Sequence, residues 1–377
     1  MAYRGTVIDC DIHHDWTSPT DLLPYLSSGW REYATRSGGR HGPMPLAPSE
    51  ISPNPGGVFR DDAFPPEGGP PGSSYELVRS QLLDPYRVER GLLTFGGGTY
   101  VAAIANPYFA AEVARAANDW SLDRWLDGRD GRLYGTVLLA NQLPEEAARE
   151  IRRVGGHPRM AAALLATNGI GKPFGHPLFH PIYEAAAEMG LPVAIHAAGE
   201  SFASMRVSPS GSGVPSLYLE HHTLVPQGLM THLVSMIVHG VFEKFPSLRV
   251  LLIEACVAWI PAVLWRFDMD YKGLRREVPW LRRHPSDYFY EHVRITTQPL
   301  ELAPRREQMT ELLRLVDAGE VLCFSSDYPH WDTDDPLSVA QALPREWHDR
   351  IFRENALELF GWDAAETSGE AAAAGAR

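Results

Sequence analysis

The chemistry in this sequence gathers where apolar runs end in polar groups. VIDCDIHH carries Asp11 and His13, LPVAIH ends in His196, LRVLLIE in Glu254 and VLCFSSD in Asp327. Side chains alternate faces along an extended chain with a period of two, so Asp11 and His13 point one way and Ile12 the other. The imidazoles of His13 and His196 with the carboxylates of Asp11 and Asp327 form a donor set for one divalent metal, with positions left for water and substrate. A metal so held lowers the pKa of its bound water toward about 7 and makes a nucleophile at neutral pH. Asp9 shares the parity of Asp11 but lies deeper, and reads as a support. His14 has the opposite parity and reads as structural or rim. His239 sits inside the helical pattern SMIVHGVFEKF and is left out of the site. His176, His180, His221 and His222 read as surface or capping residues, with one of them free to touch substrate.

The elements that would carry these groups follow from the hydrophobic pattern. Strands are expected over 6–11, 91–96, 132–140, 160–167, 191–196, 248–254, 292–298 and 321–327, most of them near-continuously apolar, as parallel strands covered on both faces are. Between them, stretches such as PEEAAREIRRV and REQMTELLRLV repeat apolar residues at three and four spacing, the mark of amphipathic helices. Ser73 followed by Glu76 reads as a capping box opening one of them. Strands alternating with helices predict an α/β fold, a (β/α)8 TIM barrel, as a single domain over 1–363. In such a barrel, function collects at the C-terminal ends of the strands, where the polar groups stand.

One connection is too long for a plain turn. Residues 14–72 are rich in Gly and Pro from 38 onward and carry Trp16, Tyr25, Trp30, Phe59 and Phe64, which reads as a lid. The tail 364–377 reads as disordered. The formal charge of −13 on 377 residues argues against a nucleic-acid partner. No apolar run is long enough for a membrane span, and no signal peptide is evident. The three cysteines, Cys10, Cys256 and Cys323, are widely spaced in apolar runs, which fits buried free thiols in a reducing cytoplasm.

The stretches VIDCDIHH, PIYEAAAEMGLPVAIH, HGVFEKFPSLRVLLIEACVAWIPAVLWRFD and VLCFSSDYPHWD resemble the amidohydrolase-related family of metal-dependent hydrolases, which includes decarboxylases, lactonases and C–C hydrolases. The resemblance implies that Asp11 and His13 fill the strand 1 ligand pair, often His-x-His in the family. It implies that His196 is the strand 5 ligand, and that Asp327 both binds metal and moves a proton. No lysine ends strand 4, so one metal is implied, zinc first, with manganese or iron compatible. The family's decarboxylases carry a histidine where this chain has Glu254, which is here expected to act as base, ligand or orienter.

Two reactions follow. The first is hydrolysis of a small cyclic or aromatic amide, lactone or C–C substrate by a metal-activated water, with Asp327 and Glu254 as catalytic groups. The alternative is nonoxidative decarboxylation of an aromatic or unsaturated carboxylate. A non-catalytic binding barrel has little support from so complete a donor set. Trp16, Thr297, Gln298 and Tyr328 are the expected substrate contacts, and Arg31, Arg36, Arg40 or Arg60 a cationic anchor for an anionic substrate. The partner is a small molecule, and the resemblance makes a homodimer plausible.

Overall fold

The computed structural model describes residues 3–18, 20–36, 58–128, 130–166, 170–197 and 217–363. Eight parallel strands run in sequence order: β1 (Val7–His14), β2 (Val88–Phe95), β3 (Leu133–Leu138), β4 (Met160–Ala166), β5 (Val193–His196), β6 (Val250–Ile253), β7 (Val293–Thr296) and β8 (Leu322–Cys323). Helices lie between them, as the alternating pattern requires. The result is the expected (β/α)8 barrel, nearly closed. β1, β4, β5 and β6 are buried at every position, which is why they read as unbroken apolar runs.

The seam between the last strand and the first is irregular. The chain was expected to stay in a strand through 321–327, but the regular ladder stops at Cys323. Beyond it, single hydrogen bonds close the barrel: Cys10 N–H to Phe324 O at 2.9 Å, Asp327 N–H to Asp11 O at 3.1 Å and His13 N–H to Tyr328 O at 2.8 Å. Asp9 completes this stitching. Its Oδ1 accepts from Ser326 N–H at 2.9 Å and Asp11 N–H at 3.1 Å, so one buried carboxylate ties the ends of both strands together. Burial pushes Asp9 up to about 7, against the pull of those bonds.

Other elements hold the barrel mouth from outside. The helix Pro107–Ser121 starts at Asn106, whose side chain accepts from Tyr108 and Phe109 N–H, and its Asn118 side chain bonds both Leu138 N–H and Leu138 O at the end of β3. The capping box expected at Ser73 does not form. The helix begins at Tyr75, and the Ser73 hydroxyl donates instead to Pro70 O at 2.7 Å.

The excursion after β1 is described in two pieces, with 37–57 and the tail 364–377 outside the described residues, so the lid reading rests on its ends. Its returning arm docks on the mouth. Gly72 has φ +85, and a Cβ there would lie 2.6 Å from His13 O, so only glycine allows the arm this close to the end of β1. Phe59 pairs with His330 in an antiparallel bridge, flanked by Trp331 N–H to Val58 O at 2.8 Å and Arg60 N–H to Pro329 O at 3.1 Å. The three cysteines are buried free thiols. Among the described residues no helix is long and apolar enough to cross a membrane.

Candidate metal centre and active site

Five of the residues singled out at strand ends meet at the barrel mouth. Asp11, His13, His196 and Glu254 form one group whose ligand atoms all lie within 4.8 Å of one another; His13, Glu254 and Asp327, joined by His330, form a second. In the first, His13 Nε2 lies 3.8 Å from Asp11 Oδ1 and 3.6 Å from Glu254 Oε1, and His196 Nε2 lies 3.6 Å from Asp11 Oδ2 and 3.5 Å from Glu254 Oε1. Asp327 Oδ1 stands 3.0 Å from His13 Nε2 and 2.5 Å from His330 Nδ1. Asp327 thus meets the cluster at His13, and Glu254 stands beside His13 and His196.

The local chemistry aims these atoms. His13 Nδ1–H donates to Phe95 O at 3.3 Å and His196 Nδ1–H donates to Ala197 O. With Nδ1 so engaged, each ring turns its Nε2 lone pair toward the centre. Thr94, directly opposite His13 in the β1–β2 register, donates its hydroxyl to Asp11 Oδ1 at 2.5 Å. The remaining oxygen, Asp11 Oδ2, together with His13 Nε2 and His196 Nε2, is buried with no hydrogen-bond partner. Orphaned buried polar atoms are costly and rare. Here they converge, and mixed nitrogen and oxygen donors at this spacing fit a divalent ion.

The electrostatics agree. Burial works against the charged form of Asp11, but the neighbouring His13 and His196 and the hydrogen bond from Thr94 outweigh it and bring the carboxyl down to about 2. Burial likewise works against imidazolium at His196, yet Glu254 and Asp11 lift it to about 9, and His13 is raised well above its ordinary value, mainly by Asp11 and Asp327 against burial. The carboxylates call for positive charge at the centre, which protons provide when no metal does.

Glu254 and Asp327 share an unusual backbone. Both are non-glycine residues in the left-handed region, with φ 56 and φ 57. That conformation costs on the order of 1–3 kcal/mol and is kept where the surroundings enforce it, as at functional sites. For Glu254, the enforcing contact includes its N–H bond to Thr296 Oγ1 at 3.1 Å.

The substrate-contact expectations fare differently. Trp16 is buried against Trp120, with little surface left for a ligand. Thr297 is fully buried, its hydroxyl bonded to the Ser325 backbone, and its equally buried neighbour Thr296 accepts from Glu254 N–H. Gln298 is buried, with its side-chain amide donating to Asp332 O at 3.3 Å. Tyr328 is buried and its hydroxyl donates to Gln81 Oε1 at 2.7 Å. Of the arginine anchors, Arg31 is engaged by the carbonyls of Leu23, Pro24 and Leu26, Arg36 pairs with Glu32 and Arg60 with Asp62; Arg40 lies outside the described residues. His14 is structural: it bonds Thr94 O and Ser121 Oγ, each at 2.8 Å, and burial pushes it down to about 3.

Sequence reasoning passed over Thr94 and His330. Thr94 was visible as the polar residue of GLLTFG, and His330 lies three residues after Asp327 in SSDYPHWD. A groove of about 400 Å³ between Met230, Val234, Val238 and Val263 lies on the helical exterior and brings no comparable donors.

Set against known proteins, residues 8–362 match the amidohydrolase family. The chain belongs to that family. Its curated relatives include the gamma-resorcylate decarboxylase of a Polaromonas species, 24% identical over 265 residues, which spans 68% of this chain and 77% of the relative. Among solved structures, this amidohydrolase is similar to an amidohydrolase from Mycobacterium avium subsp. paratuberculosis, with a TM-score of 0.69 at 19% identity, covering 96% of this chain and 100% of the other. It is also similar to a dihydroxybenzoic acid decarboxylase from Polaromonas, solved with manganese and 2-nitroresorcinol, with a TM-score of 0.64 at 20% identity over 97% and 100% of the two chains. At such identities the structural likeness speaks for the shared barrel.

Proposed function

We propose that this amidohydrolase is a metal-dependent, nonoxidative decarboxylase of a small aromatic hydroxycarboxylate. The observation that carries the reading is the sequence relation to gamma-resorcylate decarboxylase across two thirds of the chain, because hydrolases and decarboxylases of this fold would use the same donors. The relation favours the second of the two reactions expected from sequence. The manganese in the related decarboxylase structure likewise favours manganese beside the zinc expected first.

In this reading Asp11, His13 and His196 would hold the ion, with Glu254 and Asp327 in reach. A divalent ion there supplies Lewis-acid polarisation of the substrate carboxylate and the adjacent hydroxyl oxygen. The protein supplies the rest. Phe95 O, Ala197 O and Thr94 fix the donors in place before substrate arrives. The Asp11, His13, His196 and Asp327 side chains are 1–4% exposed, so a substrate ring held against them would be shielded from bulk water. Asp327 then delivers a proton to the ring carbon that carries the carboxylate. The carbon–carboxylate bond breaks, its electron pair stays on the ring to take that proton, and carbon dioxide leaves. His330, hydrogen-bonded to Asp327, returns a proton to it from the solvent side.

Hydrolysis stays as a second reading on one observation: Glu254 places a carboxylate where the resemblance has a histidine, beside both His13 and His196. Reaction of the manganese-loaded protein with 2,6-dihydroxybenzoate in heavy water separates the two. Decarboxylation yields carbon dioxide and one ring deuterium per turnover, and Asp327→Asn lowers the rate by about 10²–10⁴-fold. Failure to turn over any ortho-hydroxybenzoate, with solvent oxygen entering the product of an ester or lactone instead, would reject the proposal in favour of hydrolysis.

A further inference from the structure

We infer that His222, held by Asp332, is the cationic anchor for an anionic group that the substrate carries on its ring away from the metal. The inference rests on the proposed function for the ring and its metal-bound end, and adds a residue that selects among such rings.

The first ground is position. The loop after Asp327 is tied down over the mouth: Thr333 Oγ1 donates to Asp327 O at 3.3 Å, and Asp334 N–H to Ser326 O at 2.9 Å. Trp331 and Asp332 stand in that loop directly after His330, and Gln298 just past β7 donates to Asp332 O at 3.3 Å. The helix Tyr218–Leu224 reaches the same place after β5. Its His222 Nε2 lies 3.3 Å from Asp332 Oδ2, and its ring is flanked by Tyr218 at 5.5 Å and Trp331 at 5.7 Å between centroids. An imidazole thus stands against the loop that carries Asp327 and His330, with Nε2 on a carboxylate and Nδ1 as its second donor.

The second ground is charge. Two adjacent histidines are driven apart. Burial, with the neighbouring His222 adding, pushes His221 down to about 4, so it carries no charge near neutrality. The bond to Asp332 raises His222 above its ordinary value against burial, and Glu254 and Asp327 add to the pull. Those two carboxylates act on His222 because it lies at the same mouth.

The third ground is what the mouth otherwise lacks. The described arginines of the long excursion, Arg31, Arg36 and Arg60, are engaged by carbonyls or carboxylates, and His222 fills the role they leave. Its side chain is 33% exposed, so a ligand entering from solvent can reach it. Trp331, half exposed beside it, offers a face to a flat ring. The Gln298 amide that holds Asp332 leaves its Oε1 buried with no partner, an acceptor that a ring hydroxyl would satisfy. A ring bound to the metal through one carboxylate and its neighbouring oxygen would turn its opposite edge to this wall, where an anionic substituent gains from His222 and a neutral one does not.

The test is selectivity in binding, and needs no turnover. Two ligands carry a nitro group in place of the carboxylate that would leave: 4-hydroxy-3-nitrobenzoate, with a further anionic group, and 2-nitrophenol, without one. Each is titrated by calorimetry into the manganese-loaded full chain. Wild type is expected to bind the first at least about tenfold more tightly than the second. His222→Gln is expected to reduce that preference to about twofold or less, while 2-nitrophenol affinity stays within about twofold of wild type. Asp332→Asn is expected to reduce the preference in the same direction. No preference in wild type overturns the inference. So does a preference that persists in a folded His222→Gln, or an equal loss for both ligands, which marks a merely structural role. Should His222→Gln fail to fold, as judged by circular dichroism, Asp332→Asn decides in its place. The preference in a protein that releases no carbon dioxide from any ortho-hydroxybenzoate would leave the anchor standing and overturn the proposed function; decarboxylation without the preference would do the reverse.

Discussion

The donors of the site come from two kinds of backbone. His13 and His196 sit on regular parallel ladders, in register with Thr94 on β2 and Ile253 on β6, and Asp11 lies within β1 at the register shift between Asp9 and Ile12. Glu254 sits one residue past β6 and Asp327 four residues past β8, both on left-handed turns, and His330 follows in the loop that meets the returning excursion. The strand donors are almost wholly buried, the two histidines locked by backbone carbonyls and Asp11 by the Thr94 hydroxyl, while Glu254 and His330 touch solvent. The division separates holding from acting. A ladder fixes a side chain to a fraction of an ångström at little cost, which suits a resident ion. A strained turn costs energy but reaches a position the ladder cannot, which suits a group that must exchange protons or ligands.

Mutations can break that division or sharpen it. The largest effect is expected at the ladder: His196→Ala loses the tightly bound metal and at least about 10³-fold in turnover, checked by elemental analysis and rate. Metal content equal to wild type would show that the ladder donors do not hold the ion. Next comes the support beneath it. Thr94→Val keeps the fold but frees Asp11 Oδ1, and metal affinity should fall by about 10–100-fold in a competition titration. On the turn side, Glu254→Gly should act in opposite senses. Relief of the left-handed strain raises the stability of the metal-free protein by about 1 kcal/mol in urea unfolding, while activity falls. A loss of stability on that substitution would mean that the turn is not strained. The smallest effect is expected at Tyr328→Phe. It removes the bond to Gln81 at a cost of about 1 kcal/mol in stability and leaves substrate affinity within about twofold. A large rise in KM would return Tyr328 to the substrate site.

The same division explains what could be read from the sequence. Ladder residues obey a period of two, so the inward parity of Asp11 and His13, and the outward one of Ile12, follow from the letters alone, as do the eight strands and their order. Turn residues obey no period. Nothing in LLIEACVAW says that Glu254 swings beside His196, and nothing in SSDYPHWD says that His330 folds back onto Asp327, because both depend on a positive φ and on tertiary contacts from Thr296 and Phe59. The strand expected over 292–298 ends at Thr296, so Thr297 and Gln298 lie just past β7. Trp16 packs on Trp120 and the Tyr328 hydroxyl bonds Gln81, tertiary contacts that no local pattern reveals.

The Asp9 stitch has a bearing on how the protein comes to be metallated. It joins the first strand to the last, and the donors it aligns lie on both sides of that join, more than three hundred residues apart in the chain. A growing polypeptide on the ribosome would therefore carry Asp11, His13, His196 and Glu254 before the segment that closes the barrel beside them has emerged. Tight ion capture would then wait for the seam between first and last strand to close, and a product truncated before Ser326 would lack that closure.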